Sequence, residues 1–286
     1  MSLKNPLRLV IFGDPQKGDF SKAVTEFSSF VKDKAEIVAS CGIDECTVDI
    51  LEEVDFAVVF GGDGTIISAA RQLSEMNVPV IGVNLGKLGF LAEFSVNELK
   101  DYFDDIMAGK GHIEKRMMLG CKIFHEGKEE FSSSAINEIF ITAGRPFRMI
   151  ELTVSVDGQP LAGCVSDGLI ISSPTGSTAY NLSAGGPILS GNVDGMVITP
   201  ICSHSLSFRP IVINADSQVE VSGVRVNKGT TVSVDGQVSR GLSIGDVVKV
   251  QKDKGYFRIV NNPVRTQWDT LATKLNWAEK PRYKNK

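Results

Sequence analysis

The run Phe60-Gly61-Gly62-Asp63-Gly64-Thr65 constrains this chain more than any other stretch. It closes an acid-capped apolar segment, Asp55-Phe56-Ala57-Val58-Val59-Phe60, whose branched and aromatic residues predict a buried strand. Ile66 to Leu73 follows with helical spacing, so the glycines occupy a strand-to-helix turn. Glycines around one carboxylate let a ligand come against bare backbone. Open α/β sheets bind ligands at the carboxyl ends of their strands, and the amides that open the next helix favour an anion. Asp63 is therefore expected where a phosphate chain and a hydroxyl could meet. The plainer reading of the same residues is a tight turn whose aspartate caps the helix.

Composition narrows the class. A chain of 286 residues has room for two domains and a substantial core. A net charge of −4 argues against a general nucleic-acid binder, which would show a basic face. No apolar run approaches the roughly 20 residues of a membrane helix, and Leu9 to Phe12 is too short for a secretory signal. Five cysteines, scattered, odd in number and without a CxxC, fit a reducing cytoplasm. Three histidines, none in metal-ligand spacing, predict no zinc site, and no residue is assigned as a metal ligand.

Along the chain, Leu7 to Phe12, closed by Gly13-Asp14-Pro15, reads as a first strand. Ser21 to Lys34, with Ala23, Phe27, Phe30 and Val31 at helical intervals, reads as an amphipathic helix, and Glu36 to Ala39 as a short strand. Val78 to Val83 is another strand, ended by Asn84, and Ser95 to Met107 a capped helix. This alternation predicts a parallel sheet with helices on both faces, an α/β domain over residues 1–111. Its second glycine-bearing turn, Asn84 to Leu91, nearly imitates a P-loop through Gly82 to Lys87. The first glycine is one residue too close, however, and Leu88 stands where Ser or Thr would bind magnesium. The GxGxxG dinucleotide fingerprint is absent as well.

After Gly109-Lys110-Gly111 the texture changes to short alternating runs with turn signals, which predicts a β-rich domain over residues 112–264. The heptapeptide Thr-Val-Ser-Val-Asp-Gly-Gln occurs twice, at Thr153 to Gln159 and at Thr231 to Gln237, each a strong hairpin signal. Gln267 to Trp277 is helical again, so residues 265–286 are expected to complete the first domain.

Three stretches of the β-rich region carry chemistry. Asn137-Glu138 interrupts apolar neighbours, and two polar side chains there are costly to bury without a partner. In Ser166 to Tyr180 an apolar strand runs into Pro174-Thr175-Gly176-Ser177-Thr178, crowding hydroxyls and amides in a way that suits a phosphate or ribose. Tyr180 could stack on a base or sit in the core. Ser203 to Pro210 places His204 near Arg209, with the histidine expected to be satisfied by neighbouring hydroxyls. A serine nucleophile with His204 as base lacks the GxSxG context.

Taken together, Gly61-Gly62-Asp63-Gly64, Asn84 to Leu91, Asn137-Glu138, Asp167 to Tyr180 with Ser183 to Pro187, and His204 to Pro210 resemble the successive motifs of the NAD kinase family, in that family's order. The resemblance implies an α/β domain followed by a β-rich domain, with a C-terminal helix returning to the first. It implies transfer of the terminal phosphoryl of ATP, or of polyphosphate, to the 2′-hydroxyl of the NAD adenosine ribose. Asp63 matches the family's proton acceptor. Gly61, Gly62, Gly64 and Thr65, with Asn84, Gly86, Leu88, Gly89 and Phe90, would shape the phosphate path. Asn137 and Glu138 would hold the ribose hydroxyls, and Thr175, Gly176, Ser177, Thr178, Ala179 and Tyr180 the adenine and ribose. Asp167 would face the nicotinamide side, and Arg148 and Gln237 match further ligand-contacting positions. Val165 stands where many bacterial members carry arginine. The same resemblance implies magnesium arriving with ATP, a homodimer or homotetramer, and a cytoplasmic enzyme without nucleic-acid or membrane partners. A lipid kinase sharing Gly-Gly-Asp-Gly and a dinucleotide sensor without turnover are the competing readings.

Overall fold

The computed structural model describes residues 6–277 except 17, 43, 44 and 52. The first five residues and the tail 278–286, assigned above to the first domain, lie outside that set. The chain divides into two compact units, residues 1–115 with 258–286, and residues 116–257.

In the first unit four parallel strands lie in the order Ala35–Cys41, Leu7–Gly13, Phe56–Phe60, Val80–Val83. All five residues of Phe56–Phe60 are buried, as an unbroken apolar run in a two-sided sheet requires. Around them pack the helices Gly18–Val31, Asp63–Glu75 and Val96–Asp105, with Phe27 edge-on to both Phe60 (5.6 Å) and Phe103 (5.9 Å). Gly13 pairs with Phe60 and Phe60 with Val83. The carboxyl ends of these three strands are therefore level, and the glycine loops that follow two of them leave from one edge. After the second unit the chain returns with Ile259 paired in parallel to Val80 and ends in the helix Gln267–Leu275, which buries Thr270 and Leu271.

Helix Val96–Asp105 begins in a capping box, Ser95 accepting from the Glu98 N–H and Glu98 from the Ser95 N–H. It stops short of the expected Met107 because the chain widens into a π-turn, Ile106–Lys110, in which Gly109 takes φ 78°. Cys41 and Cys46 form a disulfide, their Cα atoms 5.8 Å apart, so the cysteines do not by themselves support the reducing compartment expected from their spacing, while Cys121, Cys164 and Cys202 are free thiols. No helix among the described residues is long and apolar enough to cross a membrane.

The second unit contains a six-stranded antiparallel sheet in the order Ile211–Asn214, Gly195–Ile201, Gly168–Ser172, Glu138–Thr142, Thr231–Val234, Val238–Gly241. A further antiparallel layer has Val219–Arg225 between Ile150–Val156 and Asp246–Val260, with Gln159–Ser166 beyond Ile150–Val156. Inward-facing residues of both layers, among them Leu152, Leu169, Ile171, Val219, Val232 and Val248, form one core. Both Asp-Gly pairs turn as the sequence predicts, with Asp157 and Gly158 at φ 52° and 75° and Asp235 and Gly236 at φ 52° and 67°. Ser172 stands opposite Glu138, and Val234 opposite Ile139. The turns at 136–138, 173–180 and 235–237 therefore gather at one edge of the sheet.

Candidate functional site

In the α/β unit the expected glycine turn opens a helix, with Gly62 at the N-cap and Asp63 as the first helical residue. Asp63 does not cap its own helix. Its carboxylate reaches to the loop after Val80–Val83. Oδ2 accepts from the Phe90 N–H (2.9 Å), and Oδ1 from the Leu91 (2.9 Å) and Ala92 (3.1 Å) N–H groups. A carboxylate offers about four acceptor positions, so these bonds leave one, on Oδ2. The loop is tied at its base as well, where Asn84 donates from both its backbone and side-chain nitrogens to the Phe94 carbonyl (2.7 and 2.9 Å). Gly89 is demanded by this geometry, since a Cβ there would lie 1.9 Å from Asp63 Oδ1. By contrast, Cβ atoms at Gly62, Gly64 and Gly86 would meet nothing within 4 Å, so backbone on that side is open to a ligand. Gly61 closes against the Thr65 side chain instead.

Sequence reasoning missed one neighbour. Lys274, in the last turn of helix Gln267–Leu275, places Nζ 3.8 Å from Asp63 Oδ2 and 5.2 Å from the Phe90 ring centre. Only the helical spacing of the tail signalled it, because nothing in sequence ties position 274 to position 63. The described residues hold no group of three or more His, Cys, Asp or Glu that could bind a metal ion.

The β-rich unit carries a second cluster. Asp235 accepts from the N–H groups of Ile136 (3.0 Å), Asn137 (2.8 Å) and Glu138 (3.1 Å), and its own N–H donates to the Glu138 carbonyl (2.9 Å). Opposite, the Asn137 carbonyl accepts from the Ser173 N–H (2.8 Å), and the Ser173 hydroxyl donates to the Ile136 carbonyl. A Cβ on Gly176 would lie 2.1 Å from the Asn137 carbonyl oxygen, so only glycine fits there. Glu138 is buried, and its Oε2 has no hydrogen-bond partner. Burial first, and the Asp235 charge second, push its carboxyl up to about 8, against the Tyr180 backbone N–H that favours the ionised form. Tyr180 meets Phe140 edge-on at 5.2 Å, and burial raises its phenol with help from Cys202, Asp167 and Glu138.

The remaining expected residues divide. Thr175 is buried with an unpartnered hydroxyl, and Thr178 donates to the Thr175 carbonyl (3.3 Å). Ser177 is fully buried, its hydroxyl used internally, donating to the Pro174 carbonyl (2.6 Å) and accepting from the Leu189 N–H (3.0 Å). That hydroxyl holds the turn together and is closed to a nucleophilic role. Ala179 returns its N–H to Gly176 (2.8 Å). Asp167, Arg148 and Gln237 are exposed, as a ligand-facing role allows. His204 is exposed too, not tucked among hydroxyls as expected, because its segment runs over the surface tied by its backbone N–H to the Val165 carbonyl.

Family models place the chain. Residues 22–111 match the ATP-NAD kinase N-terminal domain and residues 136–262 the ATP-NAD kinase C-terminal domain. An NAD kinase of Geotalea daltonii is 40% identical over 241 residues, covering 84% of this chain and 85% of the relative. One of Rhodopirellula baltica is 36% identical over 274 residues, covering 96% and 88%. Among solved structures, yeast NADH kinase complexed with NADH superposes with a TM-score of 0.88 at 26% identity, over 99% of this chain and 91% of that one. An NAD kinase from Archaeoglobus fulgidus in complex with ATP shares the fold, with a TM-score of 0.76 at 23% identity over 94% and 98%. None of these relatives supports the lipid-kinase or sensor readings. The two motif clusters, the two matched domain models and relatives sharing about two residues in five agree that this chain belongs to the NAD kinase family.

Proposed function

We propose that Asp63 is the proton acceptor in phosphorylation of the NAD adenosine ribose by ATP. In that step the 2′-oxygen forms a bond to the terminal phosphorus of ATP, and the bond from that phosphorus to the β-phosphate bridging oxygen breaks. ADP departs, and the hydroxyl proton moves to Asp63 Oδ2. The observation that carries this reading is the Asp63 carboxylate fixed by three loop N–H groups with one acceptor position left over. A fixed carboxylate with an open lone pair suits a reaction in which positioning does most of the work. The open backbone at Gly62, Gly64 and Gly86 suits the phosphate chain, and Lys274 adds a cation beside the carboxylate.

The β-rich unit would supply the NAD contacts, with Asn137 and Glu138 on the ribose hydroxyls and Thr175 and Tyr180 beside the adenosine. The unpartnered Thr175 hydroxyl and Glu138 Oε2 support this, since buried polar atoms call for a partner. The domain division follows the same reading, residues 1–111 with 265–286 serving phosphoryl transfer and 112–264 serving NAD. Magnesium enters as part of the ATP substrate, bound to its phosphates. A homodimer or homotetramer and a cytoplasmic setting, where NAD and ATP are pooled, belong to the same proposal. Light scattering of the purified chain tests the assembly, and a monomer at working concentration overturns it.

The reaction is tested by NADP formation from purified protein, NAD, ATP and magnesium, read by an NADP-specific dehydrogenase. Turnover in the ordinary enzyme range of ~1–10³ per second supports it. Absence of NADP from NAD with ATP and with polyphosphate, and of NADPH from NADH, overturns it.

A further inference from the structure

The repeated heptapeptide poses a question that the reaction does not answer. Both copies make the same Asp-Gly turn, yet their aspartates hold different things. Asp157 Oδ1 accepts from the Gln218 N–H (2.8 Å), and the Asp157 N–H donates to the Gln218 carbonyl (2.9 Å), a link to the entrance of a structural strand. Asp235 instead collects the three consecutive N–H groups of Ile136, Asn137 and Glu138. Three backbone donors converging on one carboxylate leave that turn little freedom, because charge-assisted hydrogen bonds are the strong ones and each sets a direction. The Asp235 N–H to the Glu138 carbonyl closes the same turn from the other side (2.9 Å).

We propose that Asp235 is a positioning residue for NAD, holding the Asn137-Glu138 backbone in the geometry from which both side chains meet the ribose. This rests on the ribose-binding reading of Asn137 and Glu138 given above.

A second effect follows from proximity. The groups facing Glu138 are Asp235 from the hairpin that follows Thr231–Val234 and, from the segment after Gly168–Ser172, Tyr180 through its backbone N–H, with Asp167 and Cys202 around the Tyr180 phenol. With its carboxyl pushed up to about 8, Glu138 carries a proton at neutral pH, and its buried carboxyl can donate a hydrogen bond to a ribose oxygen. Asp235 then acts as both clamp and neighbouring negative charge. Ionisation of Glu138 removes the donor, so the KM for NAD should rise as pH passes through about 8. Taking away the Asp235 charge moves that rise toward lower pH.

The experiment compares wild type, Asp235→Asn, Glu138→Gln, Asn137→Ala and Asp157→Asn, measuring kcat and KM for NAD at saturating ATP from pH 6 to pH 9. The expected result for D235N is a KM for NAD raised about tenfold or more with a smaller change in kcat, and a pH transition displaced to lower pH. In E138Q the transition should be absent. D157N, the same substitution in the twin turn, should keep the wild-type KM and profile. A D235N KM within twofold of wild type, or an unmoved transition, overturns the proposal. If N137A also leaves the KM unchanged, the ribose reading itself is what failed. Should D235N not fold, amide hydrogen exchange on the wild-type chain decides the matter. Protection of residues 136–138 comparable with the core strands supports the clamp, and exchange as fast as an exposed loop overturns it.

Discussion

Asp63 and Glu138 are both acidic residues of the motifs, yet their surroundings differ. Asp63 is partly exposed and meets three N–H donors, and Glu138 is buried beside a second carboxylate. For Asp63→Asn we expect turnover to fall by about two or more orders of magnitude, the usual scale for losing a general base, with the Kd for NAD changing much less. Calorimetric NAD binding beside the coupled assay separates the two, and unchanged turnover removes Asp63 from its role. Glu138 makes a stability prediction for the ligand-free protein. Its folded-state value of about 8 lies above the ordinary 4.5, so between these the folded chain binds more protons than the unfolded one. The contribution is therefore fully present below about 4.5 and is lost as pH rises to about 8. Thermal melts should show Tm falling across that window in wild type and falling less in E138Q, and parallel curves would refute the assignment.

At the scale of elements, the loop between Val80–Val83 and Val96–Asp105 is shaped by bonds to things outside itself. Asn84 ties its start to Phe94, and Asp63 gathers Phe90 to Ala92. Gly89 lies between these anchors with no room for a methyl group against Asp63 Oδ1. Gly89→Ala should therefore displace either the carboxylate or the loop. Turnover should drop at least tenfold while circular dichroism shows the fold retained, and an active G89A would mean that the carboxylate tolerates movement. The strand-turn-helix around Asp63 was legible in sequence because its apolar run, glycines and helical spacing are all local. The end of helix Val96–Asp105 was misplaced because the π-turn depends on Gly109 adopting φ 78°, which periodicity does not reveal. The Cys41–Cys46 pair escaped for a related reason. Five cysteines spread along a sequence do not say which two will meet, and the fold brings the Cα atoms of Cys41 and Cys46 to 5.8 Å.

For the whole molecule, ligand binding and stability are linked. A ligand present at 100 times its Kd stabilises the folded chain by about 2.7 kcal/mol when only that state binds it. NAD at that excess should raise Tm by several degrees in wild type, and by clearly less in D235N at the same NAD concentration. A wild-type Tm indifferent to NAD would contradict the family's substrate for this chain. Lys274 enters at this scale too, because the helix that carries it is reached only after the chain has passed through the entire second unit.

The sequence by itself determined the fold class, the order of the motifs and most of the residues around the two clusters. Those properties follow from hydrophobic period, turn chemistry and motif spacing, which act between neighbours in the chain. Tertiary structure decided which groups those residues face. It aimed Asp63 at the backbone of residues 90–92 instead of its own helix, and used the Ser177 hydroxyl internally. It also gave the two copies of one heptapeptide different partners, Gln218 for Asp157 and the Asn137-Glu138 turn for Asp235. Identical local sequence makes identical local turns, but a carboxylate's hydrogen-bond partners and its proton are set by whatever the fold packs against it.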